Sequence, residues 1–250
     1  MGRVMWAVSR DVGFALLSTL FSSFITIMFR PSVLGFDCRN FSIMYPKKES
    51  TIGDTNMRII SDVFPICFII VYELINCSLS KTARVVSKSA IVLNVLNMAA
   101  VYQTAYNTLE GIGNAIKLSA GELKPYFFEA CQPDVNCSDP SINSHFVNDY
   151  HCAGDIYIVN AARMSFPSQH AYSTTMAIVY VCLFVDHKIK WEGINIGKRL
   201  FQFLLISLAM FVGLCGIVDH HHHYADVAVG FCLGTVTAFV ASHATEWFDI

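Results

Sequence analysis

The sequence is poor in charged residues. Only 14% of its 250 residues are charged, whereas 54% are hydrophobic, and the formal net charge is −2. Soluble domains usually have about a quarter of their residues charged, so this composition argues against an ordinary soluble protein. The chain also lacks an arginine-rich stripe and a net positive charge, which argues against a nucleic-acid partner.

The nine cysteines form no CxxC pair, which argues against a metal finger. Four of them lie in apolar runs, where cysteine behaves as a small buried hydrophobe. Cys131, Cys137 and Cys152 instead crowd a polar segment, where a disulfide forms if the segment faces an oxidising compartment. We expect their odd number to leave one of them free.

Apolar runs of spanning length recur along the chain, each close to the roughly 20 residues that a helix needs to cross a bilayer. They lie near residues 11–29, 59–79, 90–112, 170–186, 200–218 and 226–244. The first ten residues have no obvious signal-peptide cleavage site, so we expect the first run to be a retained span. The prediction is an all-α integral membrane protein with six transmembrane helices, in which residues 1–250 form a single domain.

Positive residues set the expected orientation, because short cytoplasmic loops are enriched in lysine and arginine. Two connections carry them, at Lys81, Arg84 and Lys88, and at Lys188, Lys190, Lys198 and Arg199. These connections and both termini are therefore predicted to be cytoplasmic. The loops near 30–58, 113–169 and 219–225 then lie outside the cell or in a lumen, and we expect the plasma membrane as the location.

Two glycosylation acceptor patterns agree with this orientation. Asn40-Phe41-Ser42 and Asn136-Cys137-Ser138 both fall in loops assigned to the outside. We therefore predict a glycoprotein modified at Asn136 and Asn40.

A first polar cluster follows the third span. Lys117 and Lys124 are seven residues apart, and a continuing helix would place both ammonium groups on nearly one face. Pro125 would end such a helix. The alternative is a pair of interfacial lysines that extend to lipid headgroups.

A second cluster, Pro167-Ser168-Gln169-His170, immediately precedes the fourth span. A helix N-terminus presents unpaired amides and the positive end of the helix dipole, which favour an anion, and Ser168 could cap the helix or donate to that anion. The alternative is a helix cap beside a chance histidine.

A third cluster, residues 219–226, opens the sixth span and contains four consecutive histidines. His222 and Asp226 are four apart, so on one helical turn the carboxylate accepts from one ring nitrogen and leaves the other as a nucleophile. A metal site is disfavoured because adjacent histidines on a helix point in different directions, and a merely polar rim is the third interpretation.

The predicted topology places all three clusters at the extracellular or lumenal ends of helices 3, 4 and 6. Lysines that hold phosphoryl oxygens, a nucleophilic histidine and a histidine acid together indicate a phosphate-transfer site. Polar residues at span ends, not at the bilayer midplane, argue against a transporter or channel.

With these motifs the sequence resembles the lipid phosphate phosphatases of the type 2 phosphatidic acid phosphatase superfamily. The family's motifs are K-x6-R-P, P-S-G-H and S-R-x5-H-x3-D. The corresponding stretches here are Lys117-x6-Lys124-Pro125, Pro167-Ser168-Gln169-His170 and Cys215-Gly216-x5-His222-x3-Asp226. Shorter similarities extend the resemblance over almost the whole chain.

The resemblance implies that His222 forms a phosphohistidine, that Asp226 orients it and that His170 protonates the leaving alcohol. It assigns phosphate binding to Lys117, Lys124, Ser168 and the amide of Gln169. It implies no metal and no cofactor. The expected substrates are phosphatidate, lysophosphatidate, sphingosine phosphate and ceramide phosphate in the bilayer, in phospholipid metabolism and signal transduction. Whether the chain forms a homo-oligomer is left open.

Three departures from the motifs predict reduced activity. Lys124 replaces an arginine and loses bidentate geometry, Gln169 replaces a glycine, and Gly216 replaces a second arginine. Two weakened phosphate contacts would lower the rate by a factor of about 10² to 10⁵, unless His220 or His221 partly replaces the lost charge. The competing hypothesis is therefore a weak or inactive member that binds phospholipid or a protein partner.

Glycosylation tests the orientation. Peptide-N-glycosidase treatment of the protein from a eukaryotic host should increase its gel mobility, and Asn136→Gln should remove part of that shift, because residues 113–169 are predicted to be outside. A topology reporter at Lys88 that reads as extracellular would overturn the orientation.

Overall fold

A computed structural model describes residues 2–79, 88–137, 139, 146–189 and 195–245, and most of them are helical. The helices are α1 (Gly2–Met28), α2 (Asp54–Arg58), α3 (Phe64–Leu79), α4 (Lys88–Ala120), α5 (Phe127–Cys131), α6 (Ile156–Ala162), α7 (Gln169–Lys188), α8 (Asn195–Val218) and α9 (Tyr224–Ala244). A 3-10 helix covers Phe41–Ile43, and a π-helical turn, Ile59–Val63, joins α2 to α3. Two short strands, β1 (Phe36–Asp37) and β2 (Phe146–Val147), pair antiparallel, with Phe36 opposite Val147.

Four helical stretches among the described residues are long and apolar enough to cross a membrane. They are Met5–Met28, Asp54–Ser78, Asn195–Val218 and Tyr224–Ala244. Large apolar side chains on them, such as Leu20, Leu200 and Val236, are exposed, as lipid-facing residues would be. These helices match four of the predicted spans and indicate an integral membrane protein.

The other two predicted spans lie in α4 and α7, which are long but less apolar. Polar residues lower their hydropathy, and several of these face the protein interior. Ser173 and Thr174 on α7 are fully buried, and Asn94 and Glu110 on α4 are also buried. Polar groups inside a helical bundle need not contact lipid, so such a helix tolerates them within a membrane. The six-span topology stays a prediction.

α7 packs closely against α9, and this contact positions the start of both helices. A Cβ atom at Gly234 would overlap the carbonyl oxygen of Tyr172, and one at Gly230 would lie 2.9 Å from the carbonyl oxygen of Ser168. Buried aromatic residues, among them Tyr102, Tyr172, Tyr180 and Phe184, fill the space between these helices and their neighbours. The small residues therefore allow the two backbones to approach near the N-terminus of α7.

A second core lies in a cap over one end of the bundle, formed by the described parts of residues 30–53 and 121–168. Phe36, Phe127 and Ala162 are buried there. Two disulfides join the cap, Cys131 to Cys152 and Cys38 to Cys137. The expectation that one cysteine of residues 131–152 is free is therefore wrong. The partner of Cys137 is Cys38, which is 99 residues away in the chain, so local spacing could not reveal this pair.

Two of the positive residues that set the predicted orientation, Lys198 and Arg199, lie at the other end of α7. The ammonium group of Lys198 donates to the carbonyl oxygen of Ile189, which caps α7, at 3.3 Å, and the guanidinium of Arg199 donates to Asp186 at 3.1 Å. Lys81, Arg84 and Lys190 lie outside the described residues. The 20 residues of α7, about 30 Å at 1.5 Å per residue, separate this end from the cap.

Candidate active site

The first motif is divided between a helix end and a loop. α4 ends at Ala120, because Gly121 adopts a left-handed φ of +60° and its N–H donates to the carbonyl oxygen of Lys117 at 3.1 Å. Lys124 lies beyond this turn, and its N–H donates to the carbonyl oxygen of Ala162 at 2.8 Å. The expectation that one helix continues through both lysines is therefore wrong.

Both lysines nevertheless line one cavity. The ammonium group of buried Lys117 donates to the carbonyl oxygen of Met164 at 3.4 Å, and that of Lys124 lies 5.7 Å from the centre of the Tyr126 ring. Burial lowers the pKa of Lys124 to about 8. Poorly solvated ammonium groups interact strongly with an anion that enters the cavity.

The second motif forms the predicted helix N-terminus. α7 begins at Gln169, and the hydroxyl oxygen of Ser168 accepts from the N–H of Ala171 at 3.4 Å. The side-chain amide of Gln169 donates to Glu110 on α4 at 2.7 Å. This bond holds the Gln169 side chain against α4, and the first-turn amides of α7 provide donors for an anion.

His170 lies in the first turn of α7, beneath the loop that precedes α2. Its Nε2–H donates to the carbonyl oxygen of Ile52 at 3.0 Å. The carboxylate of Asp54 lies 3.8 Å from the same nitrogen. His170 is therefore held with a ring nitrogen at the cavity, which it also lines.

In the third motif, His222 precedes α9 and does not share a helical turn with Asp226. α8 ends at Val218, α9 begins at Tyr224, and His223 is its N-cap. The Nδ1–H of His222 donates to the carbonyl oxygen of Ser165 at 2.8 Å, whereas the nearest Asp226 oxygen is 3.6 Å away. The prediction that both residues lie on one helical turn is wrong, because the chain turns before the helix starts, but the two side chains still lie within ion-pair distance.

Asp226 is also linked to His222 through Ser165. One carboxylate oxygen of Asp226 accepts from the Ser165 hydroxyl at 2.6 Å and from the N–H of His223 at 2.8 Å. The Ser165 carbonyl then fixes the proton of His222 on Nδ1, which leaves Nε2 with a lone pair. Burial lowers the pKa of His222 to about 3, so the ring is neutral at physiological pH.

Sequence analysis missed Ser165. It stands two residues before the second motif and forms no spaced pattern with His222 or Asp226, from which it is separated by more than fifty residues. Its contact with His222 depends on the direction of its backbone carbonyl, which no residue pattern in the sequence predicts.

The histidine run does not gather around one point. His220 donates to the carbonyl oxygen of Pro46 at 3.0 Å, and His221 donates to that of Lys48 at 2.9 Å. Ligand atoms of Glu122, His223 and Asp226 do lie within 4.8 Å of one another, a spacing that could hold a cation. One carboxylate oxygen of Asp226 is already engaged there by Ser165 and the His223 backbone.

A cavity of about 620 Å³ joins most of these groups. It is lined by five of the predicted site residues, Lys117, Lys124, Gln169, His170 and His222. Ser168 and Asp226 lie behind them, and the N–H of Ser168 donates to the backbone carbonyl of Asp226 at 3.0 Å. Gly216 also lines the cavity, and a Cβ atom there would lie 3.2 Å from Cδ2 of His222.

The predicted glycosylation residues lie on the cap and not in this cavity. Asn40 and Asn136 are both exposed, whereas Ser138 of the second pattern lies outside the described residues. The structure therefore brings the predicted catalytic and phosphate-binding residues together and leaves the two asparagines at the surface.

Comparison with known proteins adds independent evidence. The sequence model of the PAP2 superfamily matches residues 92–249. Mouse (Mus musculus) phospholipid phosphatase 1 is 31% identical, an alignment covering 96% of this chain and 85% of that protein. Mouse phospholipid phosphatase 2 is 30% identical, with 91% and 82% covered, and a putative phosphatidate phosphatase of Drosophila melanogaster is 27% identical, with 95% and 69% covered. No solved structure matches the chain significantly.

The family match covers more than half of the chain, including all three motifs that form the cavity. The chain therefore belongs to the lipid phosphate phosphatases of the PAP2 superfamily.

Proposed function

We propose that this protein hydrolyses lipid phosphate monoesters through a phosphohistidine formed on His222. The hydrogen bond from Nδ1 of His222 to the Ser165 carbonyl carries the proposal, because it leaves Nε2 as the only basic nitrogen of a neutral ring. The proposed substrates are phosphatidate, lysophosphatidate, sphingosine phosphate and ceramide phosphate.

In the first step, Nε2 of His222 attacks phosphorus and the bond from phosphorus to the lipid oxygen breaks. Lys117 and Lys124 bind the phosphoryl oxygens, where negative charge is concentrated. His170, as the imidazolium ion, donates its Nε2 proton to the departing oxygen, so that the lipid leaves as a neutral alcohol.

In the second step, water attacks the phosphorus of the phosphohistidine and the N–P bond breaks. His170, now neutral, takes the proton from the water, which restores the imidazolium ion. Inorganic phosphate leaves, and His222 returns to its starting tautomer, in which the proton is on Nδ1 and is donated to the Ser165 carbonyl oxygen.

Asp226 is a positioning residue in this mechanism. It holds the Ser165 hydroxyl and the His223 backbone, and it thereby fixes both sides of the turn that carries His222. Ser168 caps α7, whose first amides, including that of Gln169, complete the phosphate site.

His170 must exchange one partner during turnover. Its Nε2–H points to the carbonyl oxygen of Ile52 at 3.0 Å, so the leaving oxygen has to take the place of that carbonyl. Catalytic hydrogen bonds often form only in the substrate complex, and this contact therefore agrees with an acid that awaits substrate.

A lipid substrate fits the surroundings of the cavity. Phe29 at the end of α1 and Val212 on α8 line it, and both of these helices are apolar enough to cross a membrane. A phosphate among the lysines would leave its acyl chains a route along these helices into the bilayer.

The proposed topology has six spans within one domain, residues 1–250, with both termini cytoplasmic. The two disulfides of the cap favour an oxidising compartment at the site, the extracellular or lumenal side. Lys198 and Arg199 lie at the far end of α7, about one hydrocarbon thickness away. We place the protein in the plasma membrane.

The competing proposal is a family member that binds phospholipid or a protein partner without turnover. Glycine at position 216 favours it, because the family motif has an arginine there and this donor is lost. Phosphate release separates the two proposals.

Replacement of the nucleophile tests the mechanism. The purified protein should release phosphate from at least one of the four lipid phosphates, and His222→Ala should reduce kcat by at least about 10³-fold, because no other group supplies the attacking nitrogen. His151→Ala is the matched control, since this exposed histidine lies on the cap beside Asp134. It should retain full activity.

EDTA should leave turnover unchanged, because lysines and helix amides stabilise the charge without a metal. Activity that is lost in EDTA and restored by zinc would contradict this mechanism and point to the Glu122, His223 and Asp226 cluster.

The pKa of Lys124 predicts a pH effect on phosphate binding. Burial lowers the pKa of Lys117 to about 7, so part of the affinity for inorganic phosphate should be lost near that pH. The ammonium group of Lys124 is charged below its pKa of about 8 and neutral above it, so the affinity should fall further as pH rises through 8. Lys124→Arg should move this fall to higher pH, because a guanidinium stays protonated to a pKa above about 12.

The inhibition constant of inorganic phosphate, followed from pH 6.5 to 9.5, measures the effect. Lys198→Arg is the control, because Lys198 binds Asp186 at the far end of α7. An identical pH dependence in wild type and Lys124→Arg would show that Lys124 does not bind the phosphate.

A further inference from the structure

The phosphate site lacks the cation that the family motif places at position 216. The two histidines that sequence analysis considered as replacements do not supply it. Both ring nitrogens of His221 are engaged, one donating to the Lys48 carbonyl at 2.9 Å and the other 3.1 Å from the Ser50 hydroxyl, and burial lowers its pKa. His220 donates to the carbonyl oxygen of Pro46 and does not line the cavity.

Residues 45–54, the last part of the cap before α2 and the first residue of that helix, form a strap along the cavity. The N–H of Tyr45 donates to the carbonyl oxygen of Pro125 at 2.9 Å. Further along, the N–H and hydroxyl of Thr51 donate to the two carboxylate oxygens of buried Asp219, at 2.7 and 2.9 Å. The strap is therefore fixed on both sides of the site, so the backbone from which its side chains extend has a defined position.

Lys47 is the lysine of the strap that lines the cavity. Its backbone N–H donates to the carboxylate of Glu129 at 2.8 Å, which fixes the chain at this residue. Its ammonium group lies 5.7 Å from the centre of the Tyr126 ring, the same distance as that of Lys124. One aromatic ring thus has two ammonium groups beside it, and the cavity that these residues line is also lined by His222.

Lys48 differs from Lys47 although it is the next residue. Its ammonium group donates to the carbonyl oxygen of Val218 at 3.0 Å, and the residue does not line the cavity. The strap therefore directs one lysine into the site and the other onto the end of α8.

We propose that Lys47 binds a phosphoryl oxygen of the substrate and supplies the positive charge that Gly216 does not. This inference rests on the proposed function. The ammonium group would reach the phosphate from the strap, which lines the same cavity as the first turn of α7. It is a point charge on a flexible stem, so it supplies electrostatic attraction without the bidentate geometry of an arginine.

Lys47→Met tests the inference, with Lys48→Met as the matched control that removes the same charge one residue away. A hydrogen bond to a charged group contributes about 1.5–3 kcal/mol, so Lys47→Met should lower kcat/KM about 10- to 100-fold and weaken inhibition by inorganic phosphate similarly. Lys48→Met should change each constant less than about threefold. Lys47→Arg should keep most of the wild-type kcat/KM, because it keeps the positive charge. A merely structural role of the strap would not explain this difference from Lys47→Met.

Inorganic phosphate also serves as a probe without turnover, through its effect on the thermal unfolding of each purified protein. If the wild type releases no phosphate from any lipid, the proposed function fails, while weaker phosphate stabilisation of Lys47→Met than of Lys48→Met would still support the inference. If the wild type is active and Lys47→Met matches Lys48→Met in kcat/KM and in phosphate binding, the inference is overturned alone.

Discussion

The proposed chemistry of the site depends on one hydrogen bond, from Nδ1 of His222 to the carbonyl oxygen of Ser165. His222 is almost fully buried, and a buried ring without a fixed proton could turn or adopt either tautomer. The bond selects one tautomer and one orientation. Asp226 holds the Ser165 hydroxyl and also lies 3.6 Å from Nδ1 of His222, so the carboxylate supports the proposed nucleophile both through Ser165 and by its own charge.

Helix packing brings the two residues of this hydrogen bond, His222 and Ser165, close together. Ser165 precedes α7, whereas His222 precedes α9, and the bond requires both helices to begin side by side. Gly230 allows that approach, because a Cβ atom there would lie 2.9 Å from the carbonyl oxygen of Ser168 and 2.7 Å from the side chain of Ala171. The N–H of Ser168 also donates to the backbone carbonyl of Asp226. Glycine packing between two helices thus determines the geometry around His222, the proposed nucleophile.

The cap supplies the rest of the site. Its disulfides and aromatic core hold the loop after α1 against the segment that carries Lys124. The strap then brings the carbonyl of Ile52 to His170 and the ammonium group of Lys47 into the cavity. A site that has lost a donor at position 216 can therefore gain one from a loop far away in the sequence.

Much of this could be predicted from sequence because it is local. Hydropathy located four helices, and the spacing of Pro167, Ser168 and His170 beside an apolar run gave the start of α7. The failures came from backbone turns and distant contacts. Gly121 ends α4 before Lys124, and the turn before Tyr224 separates His222 from the helix of Asp226. The partner of Cys137 and the carbonyl of Ser165 both depend on tertiary folding.

The position of phosphate on the His222 ring tests the account most directly. The protein would be mixed briefly with a lipid phosphate and quenched in base, in which phosphohistidine survives, and the two phosphohistidine isomers would be separated after digestion. Phosphate on Nε2 of His222 is the predicted result, because Nδ1 donates to Ser165. Phosphate on Nδ1, or on another residue of an active protein, would contradict it.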